Sequence, residues 1–380
     1  MKPLYAAFAL LVACSGDEDP KDTGTADADT DADADADADS DADADADSDA
    51  DADADADTDT GTVDVGVGAA VTVDNGDGTW TTEVDATDEA AFTWFDLATR
   101  TVVAPADPAT SGDWDLGFRR EEVAADGGVS GSAGVDAAAL DHVPFEALAW
   151  PPAAGFVADA PDADGDGIPQ YALGAWYDYD YVTHTLSPAD RTYVVRDRAG
   201  AAWRVRFDGY YDGYGVSGHP SFTWGPLPDA GPLSVVHEAD GSVTATVVAA
   251  DAAAPVYLRL GLDLALAPPD PATSDAWDLG LARTVLTLGG GVSGAGGVEV
   301  AVLDAADFDA ITAAPADGWV TDAAGALALA EWYDYDPVTH VVSPKDQVLV
   351  LRTSDGGAFK LQLTSYDDGT FTARWAPVTP

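Results

Sequence analysis

The sequence predicts an all-β protein, mainly antiparallel, made of two tandem copies of one unit behind a disordered acidic segment. Three observations carry that expectation. No stretch sustains a helical apolar period with caps, whereas short alternating runs around Gly turns recur along the chain. Long motifs return at a nearly constant spacing, the signature of a duplicated unit. Residues 17–59 hold 21 acids against one lysine and offer no apolar face from which a core could be built.

The chain opens MKPLYAAFALLVAC. Lys2 supplies a basic start, and Leu4 to Val12 form an apolar run too short to span a bilayer as a finished helix. Residues 1–13 therefore read as a lipoprotein signal peptide. Leu11-Val12-Ala13-Cys14 has the pattern at which a peptidase cuts before a cysteine that is then lipidated, and Cys14 is the only cysteine. Lipidation of Cys14 is expected to give a membrane partner through acyl chains rather than a span. It also leaves no thiol for disulfides, so core packing alone must hold the folded part. Ser15, in place of Asp, directs such a lipoprotein to the outer membrane.

Residues 14–65 continue as Asp alternating with Ala, Ser or Thr. Self-repulsion keeps such a segment extended, and its neutral reach is about 37 Å. It reads as a tether. Beyond residue 59, 48 acids still face only 14 Lys and Arg. A surface so acidic excludes nucleic acid as a partner and disfavours anionic lipid.

The duplication sets the organisation of the rest. SGDWDLGFRR (111–120) answers SDAWDLGLAR (274–283) at an offset of 163, and GGVSG recurs at 127–131 and 290–294. By WYDYDYVTHTLSP (176–188) and WYDYDPVTHVVSP (332–344), identical at ten of thirteen positions, the offset has fallen to 156. Copy one spans 66–227 and copy two 233–377, with LPDAGP as the joint. VTVDNGDGTWTTEV and VVHEADGSVTATVV each read as a hairpin around Asn-Gly or Asp-Gly. RTYVVRDRAGAAWRVRFDGY and QVLVLRTSDGGAFKLQLTSY read as paired strands around a Gly turn. A short helix is expected within residues 304–315.

The order WDLGFRR, GGVSG, WYDYD-x-VTH-x-x-SP and a Tyr-Val-Val-Arg strand resembles the HmuY-like haem-binding lipoprotein family, and it covers nearly all of each copy. The resemblance implies all-β domains on lipid-anchored proteins and haem as the cofactor or ligand. Its axial ligands do not transfer residue by residue.

Haem iron is held by His, Met, Cys or Tyr. Met1 and Cys14 are the only residues of their kinds, so histidine or tyrosine must serve. The candidates are His184, His142, His219 and His340. Only His184 and His340 stand at matched positions; His142 faces Ala305, His219 lies in a stretch copy two lacks, and His237 faces Asp74. The competing reading makes His184 and His340 structural residues ahead of a Ser-Pro corner, and His142 and His219 exposed loop residues. Trp176, Tyr177, Tyr179 and their counterparts read as core more readily than as a ligand wall, and Trp114 and Trp277 as core anchors. The longer loop of copy one, DADGDGIPQY, places Asp162, Asp164 and Asp166 ahead of Gly167, with the carbonyl of Ile168 following. Those are the first ligands of a calcium loop, although Leu173 stands where a bidentate Glu is needed, so Asp159 or Asp178 would complete the shell for Ca2+.

No Gly-x-Ser-x-Gly, His-Glu-x-x-His or phosphate loop occurs, so the chain is expected not to be an enzyme. The expectation is a non-enzymatic outer-membrane lipoprotein binding a small-molecule ligand, haem foremost. The alternatives are a structural or adhesive surface lipoprotein without haem, calcium-stabilised in copy one, and a carbohydrate binder using exposed Trp and Tyr.

Overall fold

A computed structural model of the chain describes residues 68–380. The expected signal peptide, the expected lipidation at Cys14 and the expected acidic tether lie outside the described residues. No helix among the described residues is long and apolar enough to cross a membrane.

Copy one contributes twelve strands: β1 (Ala70–Asp74), β2 (Trp80–Val84), β3 (Thr93–Asp96), β4 (Thr101–Val103), β5 (Leu116–Arg119), β6 (Glu122–Ala125), β7 (Asp136–Asp141), β8 (Tyr177–Asp180), β9 (Thr185–Pro188), β10 (Arg191–Arg196), β11 (Ala202–Tyr211) and β12 (Ser217–Pro226). They form a six-stranded sheet in the order β1-β2-β12-β11-β10-β7, a four-stranded sheet β4-β3-β5-β6, and the β8–β9 hairpin. Copy two repeats all three: β13 (Leu233–His237), β14 (Val243–Val248), β15 (Val256–Arg259), β16 (Leu264–Leu266), β17 (Leu279–Ala282), β18 (Val285–Leu288), β19 (Glu299–Asp304), β20 (Tyr333–Tyr335), β21 (Val342–Pro344), β22 (Gln347–Arg352), β23 (Ala358–Asp367) and β24 (Thr370–Pro377). Every pairing between these strands is antiparallel.

The two sheets of each copy face one another across an apolar core, which is how an alternating strand buries one side. In copy one Phe95, Phe118 and Leu116 of the small sheet meet Phe222, Trp224, Val205 and Tyr193 of the large one. Trp176 and Trp332 are core residues, 1 % exposed, and their indole N–H groups donate to the carbonyls of Glu121 (2.7 Å) and Thr284 (2.9 Å), positions related by the repeat. The next aromatics are not core: Tyr177 and Tyr333 are half-buried, while Tyr179 and Tyr335 stand exposed. Trp114 and Trp277 are fully buried, as anchors should be.

The copies pack on each other through a third cluster. Leu264, Leu266, Ala276 and Trp277 of copy two meet Leu140, Val143, Leu148, Val194 and Ala202 on the outer side of copy one's large sheet. The Ala267 N–H donates to the Ala147 carbonyl at 2.9 Å across this seam. At the joint, a Cβ on Gly231 would stand 2.8 Å from Trp150, so only glycine lets the linker pass that ring.

Two local expectations change. The segment 304–315 forms one 3-10 turn, Phe308–Ala310, instead of an α-helix. Asp307 accepts from the Asp309 N–H, and the Phe308 carbonyl is taken by Lys360 Nζ at 2.8 Å, which pins the turn on the sheet as a cover. His219 is not in an exposed loop but in β12, 7 % exposed. The extra residues of copy one lengthen the β11–β12 hairpin, with register shifts on either side of Gly209, and carry His219 inward.

Candidate functional site

The repeated Asp-x-Val-Thr-His segment is the turn of a hairpin. Asp180 Oδ1 accepts from the N–H groups of Val182 (2.7 Å) and Thr183 (3.3 Å), and the His184 N–H donates to the Asp180 carbonyl at 2.8 Å. Asp336, Val338, Thr339 and His340 repeat the pattern at 2.8, 3.4 and 2.8 Å. These hydrogen bonds hold the carboxyls of Asp180 and Asp336 below the ordinary value. His184 (φ 57°) and His340 (φ 60°) occupy the left-handed region, where glycine is the unstrained choice. Nδ1 of His184 bonds the Tyr179 hydroxyl at 2.7 Å and Nδ1 of His340 bonds that of Tyr335 at 2.5 Å. The partner is a tyrosine hydroxyl rather than a backbone carbonyl.

Around His184, Tyr181 stacks edge-on against Tyr179 at 4.8 Å and is 81 % exposed, as Val182 is at 88 %. The hydroxyl of Tyr211 of β11 reaches this hairpin, where it accepts from the Leu186 N–H at 3.0 Å. The hairpin end of copy one is thus an aromatic surface with one imidazole. In copy two, a cleft of about 510 Å3 beside His340 is lined by Arg283, Thr284, Tyr366, Asp367 and Asp368, with Arg283 paired to Asp368 at 3.1 Å.

The other histidines do not join this surface. His142 follows β7 and pairs with Asp190 at 2.8 Å. Ala305 takes the same left-handed conformation in copy two, so the turn itself does not require an imidazole. His219 has its Nδ1 buried without a partner. β7 and β12 are separated by β11 and β10, which at about 4.8 Å per strand puts their axes about 14 Å apart. His142, exposed and paired with Asp190, and His219, buried in β12, thus stand at the two outer strands of this four-strand run. At the β8–β9 hairpin the donors brought together are the His184 imidazole and the Tyr179 and Tyr181 rings.

The acidic loop holds three carboxylates, Asp162, Asp164 and Asp166, whose oxygens lie within 4.8 Å of one another. Asp162 accepts from Gly165 (2.7 Å) and Gly167 (2.8 Å), and Asp166 from Ile168 (2.8 Å). Asp159 cannot complete a calcium shell. It is 3 % exposed, and both its oxygens are taken by backbone N–H groups, from Ala125 (2.9 Å) and Ala172 (2.8 Å).

That clamp is one of two duplicated devices that the sequence reading missed. Asp322 repeats it on Leu288 (2.9 Å) and Ala328 (2.8 Å). Asp115, in the WDLG segment, accepts from Leu97 at 2.9 Å, and its counterpart Asp278 from Leu260 (2.9 Å) and Ser354 (2.9 Å). Burial pushes Asp115 up to about 6, and raises Asp159 and Asp278 as well. Their recurrence at the offset of 163 was the available signal.

The HmuY family model matches residues 88–224 and 264–375, one segment in each copy. No curated protein matches the chain. Among solved structures, an apo HmuY analogue from Tannerella forsythia is 15 % identical, covering 43 % of this chain and 99 % of its own, with a TM-score of 0.32. A Bacteroides vulgatus protein named as HmuY-like and heme-binding is 21 % identical over 41 % of this chain and 96 % of its own, TM-score 0.30. A Bacteroides fragilis protein named as a lipoprotein is 19 % identical over 41 % and 95 %, TM-score 0.30. With two matched segments in two copies of one antiparallel architecture, the chain belongs to the HmuY family.

Proposed function

We propose that the chain is a non-enzymatic, lipid-anchored binding protein of the outer membrane, and that its first copy takes haem at the β8–β9 hairpin. The observation that carries this is His184. It occupies a backbone position glycine would fill with less strain, and its Nδ1 is fixed by the Tyr179 hydroxyl. A ring held through Nδ1 presents Nε2 in one direction, as metal-ligating histidines do. Bound there, haem would supply an iron for Nε2 and a flat apolar face for Tyr179 and Tyr181. Membrane attachment rests on Cys14, whose sequence context supports lipidation.

Haem titration followed by visible absorption tests the reading. The expected result is one saturable Soret band, lost in His184→Ala and retained in His142→Ala and His219→Ala. Absence of a saturable band from folded protein overturns haem binding.

A second reading has its own support. The same histidine–tyrosine turn stands in copy two beside an Arg283–Asp368 ion pair rather than an aromatic surface, as a retained structural corner would. On that reading the protein is a structural or adhesive surface lipoprotein, with the Asp162–Asp166 loop as a calcium-dependent element. Failure of the haem titration together with a calcium-dependent rise in Tm would favour it.

A further inference from the structure

Arg259, at the end of β15, is 6 % exposed. Its Nη1 donates to the His142 carbonyl at 3.1 Å, and its Nε is buried with no partner. No carboxylate among the described residues lies within ion-pair distance of it. In a chain of 69 acids and 16 bases, a buried guanidinium without a carboxylate is the least expected of arrangements. A buried charge is ordinarily paired, because desolvation alone costs several kcal/mol.

The two copies differ at this place. The counterpart of Arg259 is Asp96, and in copy one Asp96 pairs with Arg198 at 2.7 Å. The counterpart of Arg198 is Ser354, whose N–H and hydroxyl both turn to Asp278, at 2.9 and 3.1 Å. Copy two thus has the cation where copy one has the anion, and a small neutral residue where the partner should be. Asp355 is close enough for the Arg259 charge to help lower its pKa, yet it spends Oδ1 on the Thr353 hydroxyl (2.6 Å) and the Gly357 N–H (3.0 Å).

Arg259 lines a cavity of about 290 Å3 at the seam between the copies, together with His142, Asp190, Asp275, Ser354 and Asp355. The volume lies near the lower end of small-molecule sites. One side offers a guanidinium that lacks an anion. The other offers Asp275, which makes no side-chain hydrogen bond or ion pair among the described residues, and Asp355. A simple anion would be repelled by those carboxylates, whereas a small zwitterion satisfies both sides. We infer that this seam is a binding site for an amino-acid-like zwitterion, its carboxylate on Arg259 and its ammonium facing Asp275 and Asp355. The site needs both copies, since the paired His142 and Asp190 come from the first and Arg259, Asp275 and Asp355 from the second. It is separate from the His184 hairpin and does not rest on haem binding.

The test is calorimetric titration of the chain, acidic segment included, with L-leucine, and with isovalerate and isoamylamine as single-charge controls. Saturable leucine binding is expected, weakened about tenfold or more for each control, as loss of one charged hydrogen-bonding group implies. Arg259→Met should abolish it. Asp275→Asn removes a carboxylate that has no side-chain partner among the described residues, so it should hold Tm while weakening leucine binding about tenfold. This second variant keeps the test decisive if Arg259→Met fails to fold. No saturable heat with any probe on folded protein, leucine binding undiminished in Asp275→Asn, or isovalerate binding as tightly as leucine would overturn the inference.

Discussion

The carboxylate clamp at Asp322 makes the sharpest stability prediction. Asp322 is 1 % exposed and accepts two backbone N–H groups, Leu288 at 2.9 Å and Ala328 at 2.8 Å. Asp322→Ala removes both acceptors while the surrounding strands still exclude water. Each buried donor left without a partner costs about 1–3 kcal/mol, so the two together should cost about 3–5 kcal/mol. Asp322→Asn keeps one acceptor oxygen but aims an amide N–H at the second donor, and should cost about 2 kcal/mol. The clamp in copy one should respond alike. Its two anchors, Asp159 and Ala172, are thirteen residues apart against six in copy two, yet the bonds are the same length within 0.1 Å. Urea denaturation followed by tryptophan fluorescence measures the effect, because six tryptophans are fully buried. An Asp322→Ala variant within 1 kcal/mol of the parent would refute the clamp argument.

Excising residues 162–168 converts the longer clamped loop to the shorter one. Loop-closure entropy for thirteen against six residues differs by about 0.7 kcal/mol, so denaturation should show a change no larger than about 1 kcal/mol. Asp115 carries a pH dependence. Its folded pKa of about 6 lies above the ordinary 3.8, so its contribution is full below pH 3.8 and is lost as pH rises through 6. At 1.36 kcal/mol per pH unit the loss approaches about 3 kcal/mol, and Asp115→Asn should flatten the urea-midpoint slope between pH 4 and 7 by up to that amount. Trp277→Ala empties a fully buried site in the seam between the copies. It should cost about 3–5 kcal/mol, and calorimetry should show the single unfolding transition broaden or split.

What the sequence made legible was the part of the fold written in local pattern. VTVDNGDGTWTTEV became β1 and β2 because alternation and an Asn-Gly turn agree on one hairpin, and the Gly turn at 200 joins β10 to β11 as its spacing implies. The small sheets were harder to see. Their strands run three or four residues, too short for a period, and their existence depends on non-local pairing such as Thr93 with Phe118. Buried carboxylates were invisible for a different reason. In so acidic a chain an aspartate reads as surface, and what buries Asp159 is a donor at Ala125, 34 residues away. His219 was misplaced because a length difference between copies looks like a loop, whereas here it extended a hairpin into β12. The Tyr179–His184 pairing was half legible: the repeat marked both residues, but only the left-handed turn brings them together.

The seam between the copies joins unlike surfaces, since the small-sheet side of copy two sits on the large-sheet side of copy one. A contact of that kind has no natural end and can propagate into a filament. Copy one's own small-sheet side differs at the matching positions. Where copy two presents Leu262, Leu264 and Ala276 to its neighbour, copy one presents Thr99, Thr101 and Asp113. An incoming chain would have to desolvate two hydroxyls and a carboxylate to repeat the seam. Those three polar residues therefore disfavour a further stacked unit on this face.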